Sequence, residues 1–283
     1  NRICEVISGR QIHAISPVVG GFSKVPAGLN ELKQDLLSCR EDAMRTANLF
    51  KRLKVAKFSR KAVYASLKTK SFNDYSALSG NVQVGLKSFS PDSYRKHFAE
   101  QVVKTSTSKH VTLNGSAVMV GSLARLNNNR QNLSRNAKKA LGKMRFPSYN
   151  PFHNNLCQAV EIVSFIDRCI DIVSGLQLKD EKPVQIKVRP GRGVSIIEAP
   201  RGLLIHECRV NAKGEISDYN IIAPTTINLK NIEEDIKAFL PLLAGKPEKI
   251  IVAELEKLIR AYDPCISCSA HFLEVNWRNE KYI

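Results

Sequence analysis

The sequence predicts an α+β protein, mainly α, in which long helices form a bundle beside a small antiparallel sheet. Three observations lead there. Leu32, Leu36, Cys39, Ala43, Ala47, Phe50 and Leu53 recur at helical spacing, and so do Leu156, Val160, Val163, Ile166, Ile170 and Val173. Between residues 182 and 222 the pattern changes to alternation broken by glycine and turn residues, the mark of a hairpin sheet. With 283 residues, 43% of them hydrophobic, the chain can bury the core of one large domain or two ordinary ones.

In chain order, residues 2–26 contain the turn Gly20-Gly21, and Pro17 and Pro26 argue against a continuous helix. Cys4 reads as an ordinary buried cysteine and His13 as a hydrogen-bonded structural histidine. A long amphipathic helix is predicted over Leu29–Lys57, with Cys39 on its apolar stripe as a core residue rather than a ligand. Residues 71–90 read as loop with short strands, and 91–105 as a further helix. Val118–Leu126 is an apolar segment with one glycine; its Arg125 calls for an acid or a partner surface. Pro151 opens the second long helix, which Gly175 ends, and Cys157 and Cys169 ride on it as structural residues.

Val184–Val188, Val194–Glu198, Gly202–Arg209 and Glu215–Ile222 are predicted sheet segments, with Asn211–Gly214 turning between the last two. Asn231 and Glu234 have capping-box spacing, so a helix is expected to start there and run to Pro241. Pro247 starts the last long helix, with Ile251, Leu255, Leu258, Ile259 and Tyr262 on its buried face. One domain is expected: 1–180 mainly helical, 181–228 a small sheet, 229–271 helices ending in a cysteine motif, and 272–283 a tail.

Lys and Arg number 43 against 26 acids, a net charge of +17. No Asp or Glu occurs from Ala43 to Asn73 or from Gln101 to Val160, and Lys51, Arg52, Lys54, Lys57, Arg60 and Lys61 crowd together. This reads as a solvated face or a surface that docks another subunit. No zinc finger, RNP string or basic-zipper heptad accompanies the charge, so nucleic acid is not the expected partner. Seven cysteines with one close pair are no secreted disulfide framework. No run of eighteen apolar residues exists, so no membrane span is expected. The start, Asn1-Arg2-Ile3, lacks Met and any signal-peptide pattern and reads as the middle of a longer protein.

The chemistry concentrates in Tyr262–His271, Y-D-P-C-I-S-C-S-A-H. Asp263 suits a helix N-cap and Pro264 the first helical position, so Cys265 and Cys268 are expected on one face of a turn. The positive end of that turn favours thiolate, and paired thiolates are soft ligands for nickel, copper(I), zinc or iron. Alone, C-x-x-C is also a zinc half-site or a redox pair.

The whole string resembles the C-terminal motif D-P-C-x-x-C-x-x-H of [NiFe]-hydrogenase large subunits. Four further blocks, in the same order as in that family, are similar to it. They are Gly9-Arg10 with His13 followed by Gly20-Gly21-Phe22 with Lys24 and Pro26, Val118–Asn127 (V-M-V-G-S-L-A-R-L-N), Glu198–His206 (E-A-P-R-G-L-L-I-H), and Pro224–Asn228 (P-T-T-I-N). Ala14 departs from the family's usual proline. Asn150-Pro151-Phe152-His153 also has a family counterpart.

The resemblance implies the large-subunit fold and reversible heterolysis of H2 at a nickel–iron centre with CO and cyanide on iron. It implies Cys265 as a terminal nickel ligand, Cys268 as a bridge between the metals, and His271 as ligand to a structural Mg or Fe ion. It implies Arg201 beside the centre, with Pro200, Pro224 and Thr225 lining the cofactor and Thr225 bonding a diatomic ligand. The family's other cysteine pair, R-x-C-G-x-C, is absent, because Glu5 and Ile7 stand where its glycine and second cysteine would be. The fragment alone is therefore expected to be inactive. The wording most resembles the cytosolic, bidirectional, NAD(P)-linked branch. That implies a cytoplasmic protein with an iron–sulfur small subunit, NAD(P)/flavin diaphorase subunits, and a maturation protease that removes residues 272–283. A nickel-free electron-transfer subunit like that of respiratory complex I, and a zinc or redox C-x-x-C protein, stay open as alternatives.

Overall fold

The computed structural model describes residues 1–69, 74–75, 77–104 and 106–269. The first long stripe becomes α2, Leu29–Arg52, with Leu32, Leu36, Ala43 and Ala47 buried; a short α1, Arg2–Ser8, precedes it. Between them β1, Pro17–Val18, and β2, Gly21–Phe22, form a hairpin over a Val19-Gly20 turn, so Gly21 opens the second strand instead of sharing the turn. The helix stops short of Lys57. Leu53 is already extended, and the chain then runs on so that Phe58 reaches the core and Arg60 reaches a later helix. Cys39 and Cys4 are exposed rather than buried, and His13, with φ 57, is exposed. Cys39 falls between the turns that carry Leu36 and Ala43, at the edge of the stripe.

Residues 63–119 hold more strand than the sequence suggested. β3 (Val63–Lys68), β4 (Asn81–Val84), β5 (Lys87–Phe89) and β8 (Val118–Met119) form a sheet of order β5-β4-β3-β8, in which β3 and β8 run parallel. The helix expected over 91–105 is only a 3-10 turn, Pro91–Lys96. Phe98 then opens β6 (Phe98–Gln101), which pairs with β7 (His110–Leu113). Phe98 at 5% exposure and Leu113 at 1% face each other there, and that burial outweighs any helical preference.

Gly121 then caps α3, Ser122–Asn129, and α4, Arg135–Leu141, follows. The second stripe is α5, Asn154–Gly175; it packs along α2 and closes a core with α3, α4 and the last helices. The sheet predicted near the C-terminal end is β11-β10-β9, from β9 (Gly191–Ala199), β10 (Gly202–Val210) and β11 (Ile216–Ile222). Val184, Ile186 and Val188 alternate but join no sheet and stand 71%, 58% and 58% exposed. Val184 N–H instead bonds the Gly20 carbonyl in the β1–β2 turn.

α6 runs from Pro224 to Phe239, α7 from Glu248 to Ala261, and α8 from Ile266 to Ser269. The expected start at Asn231 is overturned. Pro224 at the first position begins the helix, and Asn231 lies mid-helix, fully buried, with its side chain turned to other elements. Among the described residues no helix is long and apolar enough to cross a membrane.

One charge on β10 sets an acid limit to this fold. Glu207 has a fully buried side chain and accepts from Arg192 and Arg95 Nε and Tyr94 Oη, each at 2.6 Å. The Arg192 bond first, then the Tyr94 and Arg95 bonds, hold its carboxyl down from 4.5 to about 2. A carboxyl that is more acidic folded than unfolded stabilises above its unfolded value and loses that contribution as pH falls. Glu207→Gln is therefore expected to be less stable than the native chain at neutral pH. In acid titrations followed by circular dichroism the difference should shrink from about pH 4.5 down to about 2.

Candidate metal centre

The end of α7 is fixed by a buried polar network. Tyr262, 3% exposed, shares its hydroxyl with the Asp235 carboxylate and accepts from Asn231 Nδ2 at 2.6 Å. Arg60 closes the network on Asp235 and on Asn231 Oδ1 at 2.5 Å. This residue of the basic run is thus an internal strut, not part of a solvated face. Burial raises the Asp235 carboxyl, with the Tyr262 and Arg60 bonds opposing it.

Just beyond Tyr262, Asp263 adopts a left-handed φ of 51. It does not cap the following turn. Its carbonyl accepts from Arg201 Nε at 2.6 Å, its Oδ1 from Arg201 Nη2 at 3.3 Å, and its Oδ2 from Gln158 at 3.3 Å. The helical turn starts only at Ile266, one residue past Cys265. Cys265 is instead placed by its backbone, whose N–H donates to Thr225 Oγ1 at 3.1 Å. Thr225 is 2% exposed in the first turn of α6, directly after Pro224. In accepting that bond the hydroxyl keeps its own hydrogen for another acceptor.

Three sequence blocks that are far apart along the chain therefore meet: Arg201, the Pro224-Thr225 pair, and Asp263–Cys265. Two asparagines secure the meeting. Asn154 accepts from Leu123 N–H at 2.9 Å and donates to the Ala261 carbonyl at 2.8 Å, joining α3, α5 and α7. Asn228 accepts from Val120 N–H at 2.9 Å, joining α6 to β8.

Arg201 sits on the turn between β9 and β10. Gly202 has φ +130, and a Cβ there would lie 2.4 Å from Val120 Cγ2 and 2.7 Å from the Gly121 nitrogen. Only glycine lets the turn approach the start of α3 this closely. Below the turn lies Arg125, 2% exposed, bonded to Glu161 and Glu198. Burial opposes its charge, but the two glutamates outweigh that and hold the guanidinium charged. Burial also raises the Glu198 carboxyl, against the pull of Arg125 and the Leu67 N–H. A cleft of about 820 Å³ opens beside this cluster, lined by Arg125, Glu161, Glu198, Pro200 and Asp263.

Arg201, Pro200, Pro224, Thr225 and Cys265 are thus placed. The Cys268 side chain and His271 lie outside the described residues. The sequence reading missed Glu161, Asn154 and the Arg201–Asp263 pair. Cys265 is half-buried with its Sγ 3.4 Å from Ser267 Oγ, and the described cysteines form no disulfide. Among the described residues no three metal-ligating side chains cluster. This part of the chain offers a thiol at the meeting of three blocks, which suits part of a thiolate site and cannot complete one.

The description of nickel-dependent hydrogenases as a family matches residues 47–271. The chain belongs to that family. Its hydrogenase relatives include sulfhydrogenase 1 subunit alpha of Pyrococcus furiosus, 34% identical over 96% of this chain and 65% of that protein. The NAD-reducing hydrogenase HoxS subunit beta of Cupriavidus necator is 29% identical over 66% of this chain and 42% of its own length. A solved NAD+-reducing [NiFe]-hydrogenase has the same fold, with TM-score 0.76 at 24% identity, covering 94% of this chain and 65% of that one. The chain therefore spans just under two thirds of the length of the first of these hydrogenases. The hydrogenase large-subunit fold expected from the sequence is the fold observed.

Proposed function

We propose that this chain is the C-terminal part of the catalytic subunit of a [NiFe]-hydrogenase that oxidises H2 reversibly. The observation that carries this reading is the convergence of Arg201, Thr225 and Cys265 on one another through Asp263 and the Thr225 hydroxyl. Cys265 and Cys268 are the nickel–iron ligands from this chain, and a second cysteine pair comes from a further segment or polypeptide. When bound, the centre supplies H2 binding and the two-electron change. The chain's own residues do the rest. Cys265 Sγ is a ligand and a proton acceptor. Arg201, donor-only and fixed by Asp263, holds negative charge at the site. The Thr225 hydroxyl has a hydrogen left for a cyanide or CO on iron, and Pro200 and Pro224 offer no N–H of their own there. His271 is the ligand of a structural Mg or Fe ion.

The partners we propose are an iron–sulfur small subunit that takes the electrons, NAD(P)/flavin diaphorase subunits, and a maturation protease acting on 272–283, all in the cytoplasm. An apolar surface supports a docked subunit: Val19 is 80% exposed, Phe22 45% and Val184 71%, around the bond from Val184 to Gly20. The intact protein, purified with its subunits, is expected to contain nickel and iron, to show infrared bands of iron-bound CO and cyanide, and to exchange H2 with D2O. Zinc without nickel, and no such bands, would favour the C-x-x-C alternative. Iron–sulfur partners without nickel would favour the nickel-free subunit.

A further inference from the structure

We propose that Arg125 is a positioning residue of this site: its buried guanidinium grips the turn before Arg201 and so aims Arg201 at Asp263. The guanidinium has five N–H groups. Nε and Nη2 bond the Glu161 carboxylate at 2.6 Å each, and Nη1 bonds Glu198 Oε2 at 2.8 Å. Charge balance asks for no more than these. Yet Nη1 also donates to the Ala199 carbonyl at 3.1 Å, and the second hydrogen of Nη2 is shared between the Pro200 carbonyl and Ser122 Oγ, each at 3.0 Å. These carbonyls stand two and one residues before Arg201.

Among the described residues the strand ladder does not fix the turn. The β9–β10 ladder ends at the pair Ala199 and Gly202, so Pro200 and Arg201 lie beyond it, and Pro200 has no N–H to give. The Gly202–Gly121 approach presses the turn against the N-terminus of α3, the helix that carries Arg125 one turn further on. One helix thus holds the turn by its backbone and by a side chain. The Arg201 side chain is 37% exposed; Asp263 holds its head group, and the turn sets where its base starts.

The proposal rests on the reading of Arg201 as a residue of the metal site. Its test compares Arg125→Lys with the unmutated protein, each intact and with its subunits. A lysine keeps the charge but cannot reach two carboxylates and two carbonyls from one ammonium. In a high-resolution structure of the variant, Arg201 Nε is expected to leave hydrogen-bond range of the Asp263 carbonyl. Nickel is retained, activity per nickel falls about tenfold or more, as for outer partners of metal ligands, and its pH profile takes the shape of the R201K profile. Arg201 still seated on Asp263, or a loss of activity with the native pH profile, overturns the proposal. Should the buried lysine keep the variant from accumulating, the unmutated protein decides. Its Arg201 head group must be as well ordered as that of Arg125, and several Arg201 rotamers above a fixed Arg125 overturn the proposal. Absence of nickel from the unmutated protein would sink the hydrogenase reading and leave the structural comparison to decide on the clamp.

Discussion

Cys265→Ser is expected to remove nickel and H2-dependent activity from the intact protein while leaving its fold in place. Serine presents a hard, neutral oxygen where nickel wants a thiolate. Outer partners of metal ligands are typically worth about 10–100-fold, so loss of a ligand should exceed about 100-fold in activity. Serine keeps the size and the hydrogen-bonding groups of the side chain, so the fold is expected to tolerate the change. Cys265 is half-buried, and its Sγ lies 3.4 Å from Ser267 Oγ, a weak sulfur contact that a serine hydroxyl can take over. The bond that seats the residue is made by its backbone N–H to Thr225 and survives the change. The thermal midpoint of the metal-free variant should match that of metal-free native protein. Nickel measured by mass spectrometry at the native level in the variant would mean that Cys265 is no ligand.

What could be read from the sequence divides along a physical line. The two long helices, the last helix and the β10–β11 hairpin were legible because each writes its own period into adjacent residues. The site's blocks were legible through their resemblance to a known family. What failed depended on partners far along the chain. Asn231 has a capping box's spacing, but its side chain serves Tyr262 and Arg60, and Pro224 is the residue that starts the helix. Asp263 precedes a proline as an N-cap would, yet Arg201, 62 residues earlier, takes both its carbonyl and its carboxylate. Arg60 sits in a run of cations and looks solvated until Asp235 is seen 175 residues on. In each case a local rule was correct about propensity and was overridden by a buried charge or amide that needed a partner. Pro224 was an overlooked local signal, since a proline after a strand is a good first residue for a helix.

Glu161→Ala should be among the most costly single changes outside the metal motif. Glu161 is 4% exposed, and it gives both oxygens to Arg125 while also holding the hydroxyls of Tyr75 and Ser122. Removing one partner of a buried pair costs about 3–5 kcal/mol, because the other charge stays behind in a poor solvent. Two features argue for the lower end. Glu198 remains on Arg125, and its carboxyl, now raised by burial, would have that cation to itself. The cleft of about 820 Å³ also lets water approach the guanidinium. A loss of about 3 kcal/mol is therefore expected, or a fall of roughly 6 °C in Tm at about 2 °C per kcal/mol for a chain of this size. Asp171, an exposed acid on the same helix, provides the contrast. Its change to Ala should stay within about 0.5 kcal/mol, since no buried charge depends on it. Thermal unfolding of the two variants side by side separates the explanations. Equal small shifts would mean that water already screens Arg125 and that the buried triad is not what holds α3 to α5. A large shift confined to Glu161→Ala would place that burden on Arg125 and its two glutamates.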